Sequence, residues 1–183
     1  DNNAKTNQPF FAHIMTVSNH RPFLYPENKI NISPKKKSRD GGVKYTDYAI
    51  KQFLEKASQK PWFNNTIFVI TADHCASSAG ESSIPIDNYH IPCLIFAPNF
   101  IKPQKVETLC SQIDIMPTVF SLLHFSYTSH FYGQDVFDKD YKPRAVLATY
   151  QNLGLLSNNI LTVISPAKKV EQYLVIPTRK HNH

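Results

Sequence analysis

The apolar positions of this 183-residue chain change their period along its length, and each change marks a predicted element. Pro9 to Val17 (PFFAHIMTV) is mostly apolar and reads as a strand, closed by the polar turn Ser18-Asn19-His20-Arg21-Pro22. Asn28 to Gly42 is polar, basic and broken by Pro and Gly, which predicts a surface loop. From Val43 the period becomes helical. Thr46, Ile50, Phe53, Leu54 and Ala57 fall on one helix face. Pro61 stops that helix, because the residue before a proline avoids helical angles. Thr66 to Ala72 is a continuous run of β-branched and aromatic residues, the pattern of a strand buried on both faces of a parallel sheet. Ile91 to Ala97 (IPCLIFA) repeats that pattern. Asp114 to Leu123 (DIMPTVFSLL) reads as a short helix with Pro117 near its first turn. After Pro143 come RAVLATY, LGLLS, ILTVIS and EQYLVIP, short strands with tight turns such as Asn158-Asn159, which predict an antiparallel meander. The order predicts an α/β sandwich, with a mainly parallel central sheet over residues 1–143 and a small C-terminal antiparallel sheet over 144–183.

Composition agrees with this and narrows the class. With 42% hydrophobic and 19% charged residues the chain can bury a core. No run reaches the roughly 18 apolar residues of a membrane helix, and the N-terminus lacks the layout of a signal peptide. The chain opens on DNNAKTNQ without an initiator Met. A piece of a longer protein is expected, with any targeting or membrane segments outside it. The net charge of +6 gathers in Lys35-Lys36-Lys37-Ser38-Arg39, with pairs at Lys168-Lys169 and Arg179-Lys180. A solvated loop is the ordinary reading of such a cluster. Nucleic acid is not an expected partner, since no basic residues interleave with aromatics; phospholipid head groups suit the charge better. Cys75, Cys93 and Cys110 have no zinc-ribbon spacing. One bridge with a free thiol and three buried thiols both remain open, with Cys93 expected inside its strand and buried. Five glycines leave little room for a phosphate-binding loop or a nucleophile elbow, and neither motif occurs.

The candidate chemistry sits where the apolar run stops. Ligands of open α/β sheets bind beyond the carboxyl ends of the strands, and Asp73-His74 follows Thr66 to Ala72 there. A carboxylate oxygen and an imidazole nitrogen suit zinc or manganese. Neighbouring side chains of a regular strand point to opposite faces, so both can reach one ion only where the backbone turns. A hydrogen-bonded loop pair is the alternative. His20, just after one predicted strand, and His90, just before another, are candidates for the same cavity. The Ser/Gly-rich loop between Asp73 and His90 is expected to approach a ligand through its amides and hydroxyls.

These segments also carry a resemblance. TVSNHRPF, VKYTDYAIKQFLEKASQKPWFNNTIFVITADHCASSAGE, YHIPCLIFAP, SQIDIMPTVFSLL and FYGQDVF stand in the order found in the sulfatase/alkaline-phosphatase superfamily. The branch they resemble is the membrane-anchored phosphoglycerol transferases, the lipoteichoic acid synthase-like proteins. The resemblance implies an alkaline-phosphatase-like fold, with this chain as the C-terminal half of a catalytic domain. It implies that Asp73 and His74 are ligands of a divalent metal, Mn or Zn. It implies a catalytic and head-group-binding role for His20. His90 resembles the extra, substrate-binding histidine of phosphoethanolamine transferases. Asp114 to Thr118 matches the superfamily's D-x-x-P-T segment, read as structural. The nucleophilic threonine and a glutamate ligand of the family lie upstream of the SNH turn and have no counterpart here.

The implied reaction moves a phosphoglycerol head group from a phospholipid to an acceptor hydroxyl of a glycan or glycerol phosphate chain, through a covalent threonine intermediate. Such an enzyme works on the extracytoplasmic side of a bacterial inner membrane, anchored by segments outside this chain. Two rival enzymes are a phosphoethanolamine transferase and a sulfatase or phosphodiesterase using water. A different class altogether is a non-catalytic module that binds anionic glycans or lipid heads.

Overall fold

In the computed structural model, residues 3–6, 8–75 and 84–176 are described. Most of the Ser/Gly loop after His74 and the basic pair Arg179-Lys180 lie outside them. The chain divides into two compact units. One comprises Asp1–Phe68 with Ile95–Lys102, the other Val69–Leu94 with Pro103–His183.

Helix α1, Arg39–Ala57, dominates the first unit. It starts four residues before the helical period does. Ser38 caps it, its side chain accepting from the Gly41 amide at 3.2 Å, and Asp40 lies in the first turn. Gly41 and Gly42 read as loop residues in sequence, yet they are buried in this first turn. A Cβ on Gly42 would come within 2.6 Å of the Ser18 carbonyl oxygen, so close backbone approach explains the glycine. Phe68 is the buried centre of an aromatic cluster, with Phe63 at 5.4 Å and Phe53 and Phe96 at 6.0 Å between ring centroids. The basic cluster is exposed over a 3-10 turn, Pro34–Lys36, and Lys35 pairs with Glu27 at 3.6 Å.

The strand expected over Pro9 to Val17 does not form. The segment has no regular structure, and Phe11, Ile14, Met15 and Val17 are exposed. Apolar content made it strand-like, but a strand also needs a hydrogen-bonding neighbour, and none pairs with it among the described residues.

Strands β1, Phe68–Thr71, and β2, Cys93–Phe96, form a two-stranded sheet. The Thr71 hydroxyl lies 3.2 Å from the Pro92 carbonyl oxygen, so the end of β1 meets the start of β2. That is antiparallel order. The mainly parallel central sheet is therefore not shown by the described residues. The expected burial on both faces does not hold either, since Val69, Leu94 and Phe96 are exposed. A non-alternating apolar run fixes neither a neighbour's direction nor, in a two-stranded pair, the cover of its faces.

Cys93 is exposed rather than buried, because a two-stranded pair leaves both faces of β2 largely uncovered. No disulfide forms: Cys75, Cys93 and Cys110 are all free. Although both residues are exposed, neighbouring atoms partly desolvate the thiols of Cys93 and Cys110 and push them above the ordinary range; a hydrogen bond with Thr71 opposes this at Cys93, and nearby Asp114 adds to it at Cys110. We expect thiol titration of the denatured protein to find all three free without reductant. A bridge recovered only by reduction would contradict this.

The second unit is built on helix α2, Ile115–Leu122, and a meander in the order β3-β4-β5-β6. Its strands are β3, Ala145–Ala148; β4, Leu153–Ser157; β5, Ile160–Ser165; and β6, Lys169–Leu174. All neighbours are antiparallel. Asn158 and Asn159 both take positive φ, which gives the β4–β5 turn the twist a two-residue hairpin needs. Ala145, Leu147, Leu156, Leu161 and Val163 alternate onto one face and pack with Ile84.

Candidate functional site

Ala72 to Cys75 follow β1 as a bend rather than further strand. The bend is held from outside. Gln112 Nε2 donates to two successive carbonyls, Ala72 O at 2.9 Å and Asp73 O at 2.7 Å. Gln112 opens the 3-10 turn Gln112–Asp114, which leads directly into α2.

Asp114 anchors that turn. It is 1% exposed, and its carboxylate accepts from the Ser111 amide at 2.9 Å, the Gln134 amide at 2.8 Å, Tyr141 Oη at 3.0 Å and Arg144 Nη2 at 2.9 Å. A buried charge is tolerated only with such full pairing. Thr118 completes the motif: its hydroxyl donates to the Asp114 carbonyl at 2.7 Å and accepts from the Val136 amide at 3.0 Å. A Cβ on Gly133 would overlap the Ile113 carbonyl, so this close approach needs glycine. Asp114 and Thr118 thus have the structural role read for the D-x-x-P-T segment. Burial and the hydrogen bond to Asp114 push the Tyr141 phenol above its ordinary range.

On the bend, the Asp73 and His74 side chains are 63% and 66% exposed, open to incoming groups. Asp73 Oδ1 accepts from the His74 amide at 3.0 Å, which leaves Oδ2 free of that bond. His74 Nδ1 lies 2.6 Å from the Cys75 carbonyl oxygen. A carbonyl only accepts, so Nδ1 carries a proton, and in the neutral ring Nε2 carries the lone pair. A backbone carbonyl holding one ring nitrogen while the other stays basic is the usual arrangement of a metal-binding histidine.

Asp73 Oδ2 and His74 Nε2 are 3.6 Å apart, too long for a hydrogen bond. Two ligands sharing one ion, with bonds of 2.0–2.1 Å at a tetrahedral angle, would stand about 3.4 Å apart. The spacing is thus within reach of one divalent ion, and it is equally that of an ion pair between the carboxylate and a protonated imidazole. Among the described residues, no group of three or more His, Cys, Asp or Glu could hold a metal alone.

His90 is exposed and follows the 3-10 turn Ile86–Tyr89, two residues before Pro92. The Thr71–Pro92 contact places the His90 segment at the same end of the β1–β2 pair as Asp73 and His74. His20 belongs to the first unit and the other three to the second. It is exposed, in a turn where its amide donates to Val17 O at 3.0 Å. Its Nδ1 lies 2.8 Å from the Arg21 carbonyl oxygen, which again leaves Nε2 as the basic nitrogen. Sequence reasoning missed Gln112. Its only signal was its place two residues before Asp114 in SQIDIMPT.

Among the described residues no helix is long and apolar enough to cross a membrane.

Comparison with known proteins bears on this site. The family model named Sulfatase matches residues 1–125. Lipoteichoic acid synthase-like YvgJ of Bacillus subtilis is 28% identical over 163 residues, covering 76% of this chain and 26% of that protein. Lipoteichoic acid synthase of Staphylococcus aureus is 26% identical over 159 residues, covering 74% of this chain and 24% of that protein. The chain thus spans about a quarter of the length of these relatives. A crystal structure of a protein in the alkaline phosphatase superfamily from Vibrio parahaemolyticus superposes with a TM-score of 0.79 at 35% identity, covering 86% of this chain and 39% of that one. The match to the family model takes in the strand-end bend and the Ser111–Thr118 part of the Asp114 frame, and the chain belongs to the sulfatase family.

Proposed function

We propose that this chain carries part of the metal site of a phosphoglycerol transferase, within a catalytic domain that includes both 1–143 and 144–183. The observation that carries the reading is the Asp73–His74 pair, whose Oδ2 and Nε2, the two atoms not held by the backbone, stand 3.6 Å apart on an exposed bend. The lipoteichoic acid synthases among the relatives support the substrate class. Asp73 and His74 would hold Mn²⁺ or Zn²⁺. A bound divalent ion lowers the pKa of a neighbouring hydroxyl and offsets charge developing on phosphoryl oxygens.

The threonine nucleophile and the remaining ligands are assigned to the rest of the full-length protein. The threonine oxygen bonds to phosphorus as diacylglycerol leaves with a proton. An acceptor hydroxyl, on a glycan or glycerol phosphate, then displaces the threonine, which regains a proton. His20, basic at Nε2, can accept the acceptor's proton or a hydrogen bond from the glycerol head group. His90 binds the head group. The site faces the extracytoplasmic side of a bacterial inner membrane, with attachment through other segments. His90's place beside the Asp73 bend also favours a second reading, transfer of phosphoethanolamine.

The test incubates the full-length protein and Mn²⁺ with phosphatidylglycerol or phosphatidylethanolamine. Diacylglycerol release from phosphatidylglycerol is expected, with none from the 183-residue chain alone, which lacks the nucleophile. Release only from phosphatidylethanolamine would transfer the assignment to the second reading. No release from either lipid by metal-loaded protein would overturn both.

A further inference from the structure

We propose that Gln112 is the positioning residue of the Asp73–His74 pair, clamping the bend so that both side chains face one point. The inference rests on the metal-site reading above and adds what sets that site's geometry. In an extended strand successive carbonyls point in opposite directions, as do successive side chains. Gln112 Nε2 receives two successive carbonyls, Ala72 O and Asp73 O, on one amide nitrogen. That is achievable only where the backbone has left strand geometry. The same departure lets Asp73 Oδ2 and His74 Nε2 approach to 3.6 Å instead of diverging. The clamp and the convergence are one conformation seen from its two sides.

The donor is itself fixed. Gln112 lies between Ser111, whose amide donates to Asp114 and whose hydroxyl accepts from the Val146 amide at 2.7 Å, and the buried Asp114. The bend therefore borrows its rigidity from a frame that carries no chemistry of its own. The Gln112 side chain is solvent-exposed and packs into no core, so its removal should leave the fold in place.

The test uses the full-length protein with Gln112→Leu, which keeps most of the volume and loses both donors, and Gln112→Glu, which presents acceptors to the two carbonyls. Manganese affinity is measured by calorimetry, hydrogen exchange at the Asp73, His74 and Cys75 amides in metal-free protein, and melting temperature alongside. In Gln112→Leu, affinity should fall about 10–100-fold, the range seen when a residue supporting a ligand is lost. Exchange on the bend should quicken in both variants, while the melting temperature stays near that of the wild type. Unchanged affinity and exchange in Gln112→Leu would overturn the clamp. So would a general loss of melting temperature with uniformly faster exchange, which marks a merely structural role. Wild-type protein that binds no manganese, with the bend still loosened in both variants, would sink the metal reading and support the clamp.

Discussion

Asp73→Ala in the full-length protein should abolish head-group transfer while leaving the fold intact. Asp73 is exposed, and its carboxylate makes one hydrogen bond, to the amide of the next residue. Its loss exposes no buried partner, so the stability change should stay within about 0.5 kcal/mol, as for ordinary surface positions. The chemical loss is of another order. Removing one preorganised group that stabilises developing charge costs about 10²–10³ in rate, and a ligand whose loss also weakens the metal removes more. A drop of about 10³-fold or more in diacylglycerol release is expected, with circular dichroism and melting unchanged. Activity within tenfold of the wild type would mean the chemistry lies elsewhere.

The largest stability effect is expected at Asp114. Alanine there leaves Arg144, whose side chain is 18% exposed, without its carboxylate, and strips the acceptor from two backbone amides and Tyr141 Oη. Breaking a buried ion pair from one side costs about 3–5 kcal/mol, which corresponds to a fall in melting temperature on the order of 10 °C. Calorimetry of the full-length protein measures it. The Tyr141 phenol, raised first by burial and then by its bond to Asp114, should return toward its ordinary range in an alkaline absorbance titration. A loss below about 1 kcal/mol would show that the network is not what holds the second unit together.

The parts of the fold set by local pattern were legible. The meander declared itself through short apolar runs and tight turns such as Asn158-Asn159, and α1 through its apolar face. Its start was missed because Gly41 and Gly42 argue for a loop on propensity, whereas their reason is close packing against Ser18 and Tyr25. Pro9 to Val17 failed in the opposite sense, since strand formation is a property of a pair and sequence displays one partner. Asp73 and His74 could be found because a carboxylate and an imidazole interrupt an apolar run. Gln112 could not, because its contacts span 39 and 40 residues and an exposed glutamine leaves no pattern.

The bare segment before His20 has a consequence for the 183-residue chain taken on its own. Phe10, Phe11, Ile14, Met15 and Val17 form a short, unpaired apolar stretch facing water. Chaperones and proteases of quality control recognise such stretches as the signature of unfinished folding. A polypeptide presenting residues 9–17 this way would be bound or degraded in proportion to the time they stay uncovered. Its lifetime would then depend on how quickly another surface covers that stretch as well as on the stability of each unit.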